Sequence, residues 1–413
     1  MNASPTVKRP AHVPVDRVVN FDLYQPMRPG LDLHDSWKAF QREQTRSVVW
    51  TPYNGGHWIV LNGPLVERVL EDQDIFTSHT VLVPKDTAGE AYRLIPLSLD
   101  PPKHGPFRKL LDDNLNPNAV RAIEDGIRKL TIELIEGFRP RGRCNFTEDF
   151  AEKLPIRIFM QLVDLPMTDF PTLKFLADQF TRPDGSMDIL EVKKRFHDYL
   201  APILAQRRDA AGSDLLSRMV NGDVGGRAMT DQEAVDMATQ VLVGGLDTVV
   251  NFMGFVMNHL ARSDADRRML AADPRLIPRA IAELLRRYGL VSCSREVKRD
   301  AEFEGIIFRA GEMVVAPTIL HGLDEGIIED PREVRLNRGA VKHATFGAGP
   351  HRCPGSHLAR SELKIMLEEW LSRIPEFWIA PGHEVVFQGG IVASILPFEL
   401  AWEAGREASA KVQ

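Results

Sequence analysis

The spacing of apolar residues along the chain predicts a mainly helical protein. Residues 57–61 have the composition of a short strand, and turn-forming pairs at 221–222 and 225–226 predict loops between helices. Apolar residues recur at helical spacing in longer segments, namely residues 119–138, 148–163, 187–208, 230–262 and 276–288. We therefore expect a mainly α fold with small β-sheets.

Residues 230–262 predict one long central helix. Its start is a capping box, because Thr230 and Glu233 can each satisfy a free backbone N–H of the first turn. A helix of this length would extend about 50 Å at 1.5 Å per residue, and would therefore cross the whole molecule.

The most apolar part of this helix, residues 241–261, is also long enough to be read as a membrane span, since about 20 apolar residues cross a bilayer. Asp247, Asn251 and His259 interrupt it, and uncompensated charge is costly in lipid. We therefore expect a helix buried inside a globular protein, with no membrane association.

Four small or polar residues of this helix follow i, i+3, i+4, i+7 spacing and share one face: Gly244, Asp247, Thr248 and Asn251. In so apolar a segment they predict a polar notch beside a cavity. Gly244 would leave room for a ligand, and Thr248 could loosen the helix by bonding a carbonyl one turn back. The alternative is a buried polar cluster that only packs.

Composition narrows the class of protein. The 413 residues are 44% hydrophobic and 26% charged, as in globular proteins, and the net charge of -6 argues against a general nucleic-acid binder. Three scattered cysteines predict neither a disulfide framework nor a zinc cluster, and favour a reducing cytoplasm. We expect a soluble, cytoplasmic monomer with one domain, residues 1–413, whose proline-rich residues 1–20 are flexible and carry no signal peptide.

Residues 346–355 form a loop marked by glycine and proline that leads into an amphipathic helix. Pro354 suits the first position of that helix, which would place Cys353 at its N-cap. Unpaired backbone donors and the helix dipole favour an anion there, so the loop is suited to present a thiolate to a metal. The alternative for a single cysteine is a small buried hydrophobe.

Phe346, Gly349, Cys353 and Gly355 match every fixed position of a known pattern: Phe, two variable residues, Gly, three variable residues, Cys, one variable residue, Gly. The segment resembles the haem-binding loop of the cytochrome P450 monooxygenases. The resemblance implies the cytochrome P450 fold and haem b (iron protoporphyrin IX), held between the long central helix and the cysteine loop. Cys353 would be the axial ligand of the iron.

A second match lies on the central helix, where residues 244–248 resemble the oxygen-activation segment of the same family. The resemblance implies that Asp247 relays protons while Thr248 hydrogen-bonds the bound oxygen. Lys174 and Arg182 would hold Asp247 or release it toward solvent.

A third match is the pair Glu283 and Arg286, which is weak alone because exposed pairs at this spacing are common. In the family such a pair is a buried support near the cysteine loop. The resemblance also implies that the haem propionates are held by Arg108, Arg295 and His351.

The likeness is closest to the soluble bacterial members that hydroxylate camphor, and it includes residues 54–59, 88–92, 144–149, 181–187 and 244–252. Tyr92 matches the tyrosine that hydrogen-bonds the substrate ketone, which favours a small apolar molecule with one acceptor oxygen. The other substrate-binding residues implied by the resemblance are Leu94, Leu97, Phe180, Thr181, Gln240, Val243, Val291 and Ile391.

Several positions depart from the camphor-hydroxylating pattern. Leu94, Leu97, Phe180 and Gln240 replace phenylalanine, threonine, methionine and leucine, so the cavity is reshaped and Gln240 adds a polar group. Cys293 replaces an aspartate that helps to hold a propionate.

Pro354 replaces a leucine whose backbone N–H is available to the ligand sulfur. We expect the thiolate to have one donor fewer and the haem to have a lower reduction potential.

The implied reaction is hydroxylation of an unactivated C–H bond with O2 and two electrons from NADH. The chain has no dinucleotide fingerprint and no cluster cysteines, so a flavin-containing ferredoxin reductase and a [2Fe-2S] ferredoxin would deliver the electrons, docking near Arg108 and Lys109. Camphor, at its 5-position, or a similar bicyclic monoterpenoid is the first choice of substrate. Alternatives are another terpenoid or norisoprenoid, a peroxide-using haem enzyme, and a non-catalytic haem or terpenoid sensor.

Overall fold

The computed structural model of the chain describes residues 6–85, 93–181, 184–210, 212–339 and 341–404. Helices dominate, and the strands are short. The helices are α1 Leu33–Arg42, α2 Gly63–Glu71, α3 His104–Leu115, α4 Pro117–Arg121, α5 Glu124–Phe138, α6 Lys153–Leu162, α7 Phe170–Thr181, α8 Ile189–Asp209, α9 Leu215–Val220, α10 Asp231–Gly245, α11 Thr248–Arg262, α12 Asp264–Ala272, α13 Ile277–Arg287, α14 Thr318–Gly322 and α15 Ser356–Arg373.

The strands form small sheets at the edges of the helical body. They are β1 Val48–Thr51, β2 His57–Val60, β3 Phe76–Thr77, β4 Arg143–Asn145, β5 Ser292–Val297, β6 Ala301–Phe303, β7 Ile306–Phe308, β8 Met313–Pro317, β9 Trp378–Ile379, β10 Phe387–Gln388, β11 Ser394–Ile395 and β12 Glu399–Ala401. The largest sheet has the order β1-β2-β8-β5-β3, in which only the β2–β8 pair is parallel. The predicted fold, mainly α with small sheets, is confirmed, as is the strand at 57–61.

The predicted long central helix is two helices in line. Its capping box is confirmed: the Thr230 side chain accepts from the backbone N–H of Glu233, and the Glu233 carboxylate accepts from that of Thr230. The helix is interrupted between Gly245 and Thr248, where Asp247 has φ -129° and ψ -45°. A single unbroken helix was therefore wrong, because side-chain bonds at this point compete with the helical ladder.

The apolar span Asp231–Arg262 is long enough to cross a membrane, but 67% of its most apolar window is buried inside the protein. Helix α10 packs along α8, and α11 packs against α12 and the β11 strand. Within the described residues this span is the core of the helical body.

The helix that follows the cysteine loop, α15, is held between α5 and α13. Trp370 of α15 is fully buried and meets Phe138, Phe146 and Phe150, whose rings lie about it at centroid distances of 5.5 Å. Burial of aromatic groups this large is strongly stabilising, so the element that supports the loop is rigid.

From Thr6 onward, the proline-rich segment is packed against the rest of the protein, whereas we expected it to be flexible. Val13 is fully buried, the N–H of Val7 donates to the carbonyl of Pro52, and Val18 bridges to Trp50. Residues 6–20 are therefore packed against the β1–β2 hairpin, although their prolines predicted a flexible segment.

Candidate active site

The two sequence motifs meet at one internal cavity of about 350 Å³. The break between α10 and α11 forms one wall and the cysteine loop forms the opposite one. The cavity is lined from these two sides by Gln240, Gly244, Gly245, Thr248, Phe346, Cys353, Pro354 and Gly355. The sequence placed these segments about a hundred residues apart, and the fold brings them together.

The cysteine loop is fixed by its own backbone. The N–H of Cys353 donates to the carbonyl of Phe346 at 2.8 Å. Gly347 and Gly349 have φ of +74° and +65°, where side chains are strained, and a Cβ at Gly349 would lie 3.0 Å from the backbone oxygen of Leu70. The loop therefore holds the Cys353 thiol in one position, at the cavity wall.

The predicted position of Cys353 relative to its helix was wrong. Helix α15 begins at Ser356 with Gly355 as its N-cap, so Cys353 lies two residues before the cap and Pro354 lies outside the helix. The reason is that the Gly355 carbonyl accepts the first helical bond, from Ala359 at 3.0 Å. The helix terminus therefore contributes less to the thiol than the sequence suggested.

The environment of the Cys353 thiol is buried and mildly electropositive. Burial raises the pKa of Cys353, while the backbone N–H of Gly355 and the charges of Arg108 and Arg352 act in the opposite direction. A coordinated metal cation deprotonates such a thiol outright. The site thus suits a metal-bound thiolate better than a free one.

One edge of the cavity gathers basic side chains. Arg108 donates to the carbonyl of Pro350 at 3.3 Å, and the rings of His104 and His351 lie 4.4 Å apart. Burial, with the nearby charge of Arg295, lowers the pKa of His351 to about 3, and burial also lowers that of Arg295. Among the described residues, the buried Nε2 atom of His351 has no hydrogen-bond partner.

This edge fits the carboxylates of haem. The buried guanidinium of Arg295 and the unpaired imidazole nitrogen of His351 favour an anionic partner, and a propionate supplies one. Arg108 lies beside them and is already paired with Asp112. The sequence predicted Arg108, Arg295 and His351 for this role and missed His104. The sequence did contain a signal for His104, because it precedes Arg108 by four residues and therefore lies on the same face of α3.

The acid–alcohol pair lies at the helix break. The Thr248 hydroxyl lines the cavity, and the Asp247 carboxylate is buried behind it, 1% exposed. Asn251 donates to the Asp247 Oδ1 at 2.9 Å, and the Lys174 Nζ lies 3.7 Å from the same oxygen. Arg182, the other predicted partner, lies outside the described residues.

The two glycines of this segment have different roles. A Cβ at Gly244 would meet only the Gln240 amide, at 3.7 Å, so Gly244 leaves the cavity open. A Cβ at Gly245 would lie 2.4 Å from the Phe159 ring, so Gly245 permits close packing against α6. The sequence predicted only the first role.

Glu283 and Arg286 form a buried bidentate pair, with both N–O distances at 2.8 Å. Arg286 is fully buried and also donates to the carbonyls of Gly322, Pro331 and Glu333. The hydroxyl of Thr345, just before the cysteine loop, donates to the carbonyl of Leu285 at 2.6 Å. The pair therefore ties α13 to the segments that lead into the loop.

Three of the predicted substrate-binding residues, Leu97, Gln240 and Val291, line the cavity. Tyr92 lies outside the described residues. The remaining ones are absent from the described lining because they pack into or against the surrounding core: Leu94, Phe180, Thr181, Val243 and Ile391.

Two further residues of the cavity wall carry chemistry. Cys293 of β5 lines it near Arg295. Glu362 of α15 lines it as well, although it is only 2% exposed, and burial raises its pKa to about 8. Glu362 could not be predicted, because nothing in its sequence position distinguishes it from other acidic residues on helices.

The cavity, with a fixed thiol in its wall and basic groups at one edge, fits a haem held by a cysteine thiolate. Comparison with known proteins agrees. The sequence model of the Cytochrome P450 family matches residues 272–375. The chain is 32% identical over 404 residues to "Probable cytochrome P450 127A1" of Sinorhizobium fredii, covering 95% of this chain and 96% of that protein. The chain belongs to the cytochrome P450 family.

Solved structures place it close to the CYP101 group. The crystal structure of CYP101J2 is 54% identical, with a TM-score of 0.90 over 96% of this chain and 100% of that one. That of CYP101C1 is 40% identical, with a TM-score of 0.86 over the same shares. The protein is accordingly an oxidoreductase of the monooxygenase type, and its cofactor is haem b.

Proposed function

We propose that this protein hydroxylates an unactivated C–H bond of a small terpenoid, with camphor or a similar bicyclic monoterpenoid as first choice. The observation that carries the proposal is the Thr248 hydroxyl, which faces the same cavity as the Cys353 thiol and has the buried Asp247 carboxylate behind it. The groups proposed to transfer protons and the sulfur proposed to bind the metal thus lie at the same cavity.

Haem, when bound, would supply the iron at which O2 is reduced and the C–H bond is oxidised, and the Cys353 thiolate would hold that iron. The Thr248 hydroxyl, whose own proton is donated to the Gly244 carbonyl, would accept a hydrogen bond at the oxygen-binding side. Asp247 receives protons from the Lys174 side, and Asn251 keeps the carboxylate oriented toward the break. Positioned proton transfer of this kind contributes roughly 10²–10⁴-fold to rate.

Arg108, Arg295, His104 and His351 would hold the propionates of the haem at this edge of the cavity. Arg108 has a second role in the proposal. It lies beside Lys109 on α3, and the Lys109 side chain is 71% exposed. Arg108 is paired with Asp112 and Lys109 with Asp113. In the proposal both cations exchange these aspartates for the carboxylates of an acidic [2Fe-2S] ferredoxin, which is reduced by NADH through a flavin-containing reductase.

The substrate is proposed from the shape and polarity of the cavity. Leu97 and Val291 give apolar walls, and the likeness to CYP101 structures supports a small terpenoid. Another monoterpenoid or a norisoprenoid fits the same chemistry. We further propose a single-domain, monomeric, cytoplasmic bacterial enzyme.

Three measurements test the proposal. A Soret band near the red-shifted position typical of thiolate-ligated haem, in the reduced carbon-monoxide complex, is expected. Titration with a panel of camphor, deoxygenated camphor and ionones should move the ferric spin state for at least one member. That compound should then stimulate NADH consumption with ferredoxin and reductase, and yield an alcohol.

Other outcomes would contradict the proposal in distinct ways. Turnover with hydrogen peroxide but none with the ferredoxin system would indicate a peroxide-using enzyme. Binding of a terpenoid without any oxidised product in either system would indicate a sensor. A spin shift with a larger terpenoid and none with camphor would replace the substrate and leave the reaction intact.

A further inference from the structure

Gln240 places an amide inside an otherwise apolar part of the cavity wall. It lies on α10 one turn before Gly244 and lines the cavity together with Leu97 and Val291. Its Oε1 atom is buried and has no hydrogen-bond partner among the described residues. Its Nε2 atom lies 3.7 Å from the point that a Cβ on Gly244 would occupy.

An amide in this position is unfavourable unless something pairs with it. Burying a polar group without a hydrogen bond is costly, whereas a leucine of similar length would fill the same space at no such cost. The camphor-hydroxylating relatives have that leucine. The polar group is therefore better explained by a ligand than by packing.

The other polar groups near Gln240 already have partners. The Thr248 hydroxyl donates to the Gly244 carbonyl, and that of Thr345 donates to the Leu285 carbonyl. Glu362 lies on α15, which follows the cysteine loop on the opposite wall. On the α10 side of the described cavity, Gln240 is the polar side chain whose N–H donors have no partner among the described residues.

We propose that Gln240 is a specificity-determining residue whose Nε2 side, which faces the cavity beside Gly244, donates an N–H to an acceptor oxygen of the terpenoid, while the buried Oε1 does not contact the ligand. The proposal rests on the proposed function and narrows it. Because Nε2 faces the open side of Gly244, the oxygen would lie beside the helix break. The substrate class is an oxygenated terpenoid with a carbonyl or ether oxygen, in contrast to a hydrocarbon.

The test is the affinity ratio within matched pairs of ligands. Camphor and camphane have the same bicyclic frame with and without the ketone, and 1,8-cineole and its carbocyclic isostere differ in the same way at an ether. Spin-state titration gives Kd for each compound in the wild-type holoenzyme and in the Gln240→Leu variant. The ratio compared is the Kd of the hydrocarbon divided by the Kd of its oxygenated partner. In the pair for which the wild type has the largest ratio, this ratio should fall about five- to tenfold in Gln240→Leu.

Two further variants make the result specific. Leu97→Met changes the shape of the same wall without changing its polarity. It should therefore change the Kd values of both members of a pair by a similar factor. Gln240→Met keeps the length of the side chain but has no hydrogen-bond donor, so it should lose the preference as Gln240→Leu does. Retention of the preference in Gln240→Met would overturn the donor assignment.

Failure of this inference is distinguishable from failure of the proposed function. If the wild type oxidises a terpenoid with NADH and ferredoxin but Gln240→Leu leaves every ratio unchanged, Gln240 does not set specificity. An equal fall of the affinity ratio in Leu97→Met and Gln240→Leu would also overturn the inference. If the wild type shows neither a haem-thiolate spectrum nor terpenoid-dependent NADH consumption, the proposed function itself is wrong.

Discussion

The Thr248 hydroxyl lies 3.3 Å from the carbonyl oxygen of Gly244, one turn earlier, at the point where the central helix is interrupted. This bond replaces part of the helical ladder and turns the Thr248 side chain toward the cavity. The interruption and the presentation of the hydroxyl are therefore one structural feature.

Replacing Thr248 by alanine should uncouple electron use from product formation. Without the hydroxyl, protons still arrive but are not held at the oxygen, so reduced oxygen leaves as hydrogen peroxide. We expect product per NADH to fall roughly tenfold or more, with NADH consumption largely retained. Thr248→Ser, which keeps the hydroxyl, should restore most of the coupling, and equal coupling in both variants would contradict this role.

Lys174 is expected to support proton delivery through Asp247. Its Nζ lies 3.7 Å from the Asp247 Oδ1 and 2.6 Å from the Asp178 carboxylate. Lys174→Met should slow product formation by a factor of about 3, the effect of a partly exposed ion pair, and should raise the solvent isotope effect.

A matched control exists on α8, where the exposed Lys194 pairs with Asp198 at the same i, i+4 spacing. Lys194→Met should leave both rate and isotope effect unchanged. The same slowing in both lysine variants would show that the effect of Lys174 is not specific to Asp247.

The buried pair Glu283 and Arg286 should be needed for stability and for retention of haem. Glu283→Ala leaves a fully buried guanidinium without its carboxylate, which costs about 3–5 kcal/mol in buried pairs. Chemical unfolding and the haem content of the purified protein measure the effect. Glu191→Ala breaks an exposed pair with Arg195 and should cost about 0.5 kcal/mol or less. Similar losses in both variants would contradict a supporting role.

Much of the site was predictable because its residues lie in short, locally constrained motifs. The pattern from Phe346 to Gly355 and the face carrying Asp247 and Thr248 could be recognised without a structure. The start of α15 could not, since it depends on which carbonyl accepts the first helical bond. Nor could the contact of Gly245 with Phe159, which is made only when α6 packs against the central helix.

Pro354 should lower the reduction potential of the haem by withholding a hydrogen bond from the thiolate. A proline has no N–H, so the Gly355 N–H is the backbone donor that favours the Cys353 thiolate in the described structure. Pro354→Leu should raise the potential by roughly 40–60 mV, the equivalent of about 1 kcal/mol for one electron. Spectroelectrochemical titration measures it.

A second substitution separates the N–H from the size of the side chain. Pro354→Ala restores the donor without the bulk of leucine, so it should raise the potential by a similar amount. An unchanged or lowered potential in both variants would contradict the hydrogen-bond explanation.

Glu362 should make the stability of the protein fall as pH rises through neutrality. Burial raises its pKa from 4.5 to about 8, so between these values the native protein keeps a proton that the unfolded chain has lost. Since the native state then binds more protons, the free energy of unfolding decreases with pH across this window and levels off above about 8. Glu362→Gln cannot ionise and should remove this slope, with a gain on the order of 1–3 kcal/mol at pH 7.

Urea unfolding at pH 5, 6, 7 and 8 measures that slope, and Glu148→Gln, at an exposed position, is the matched control because it should leave the slope unchanged. Parallel slopes in the wild type and Glu362→Gln would show that the carboxyl is ionised in the native cavity. In that event a cation or a hydrogen-bond donor must face it once haem is bound, because an unpaired carboxylate is not stable in so buried a position.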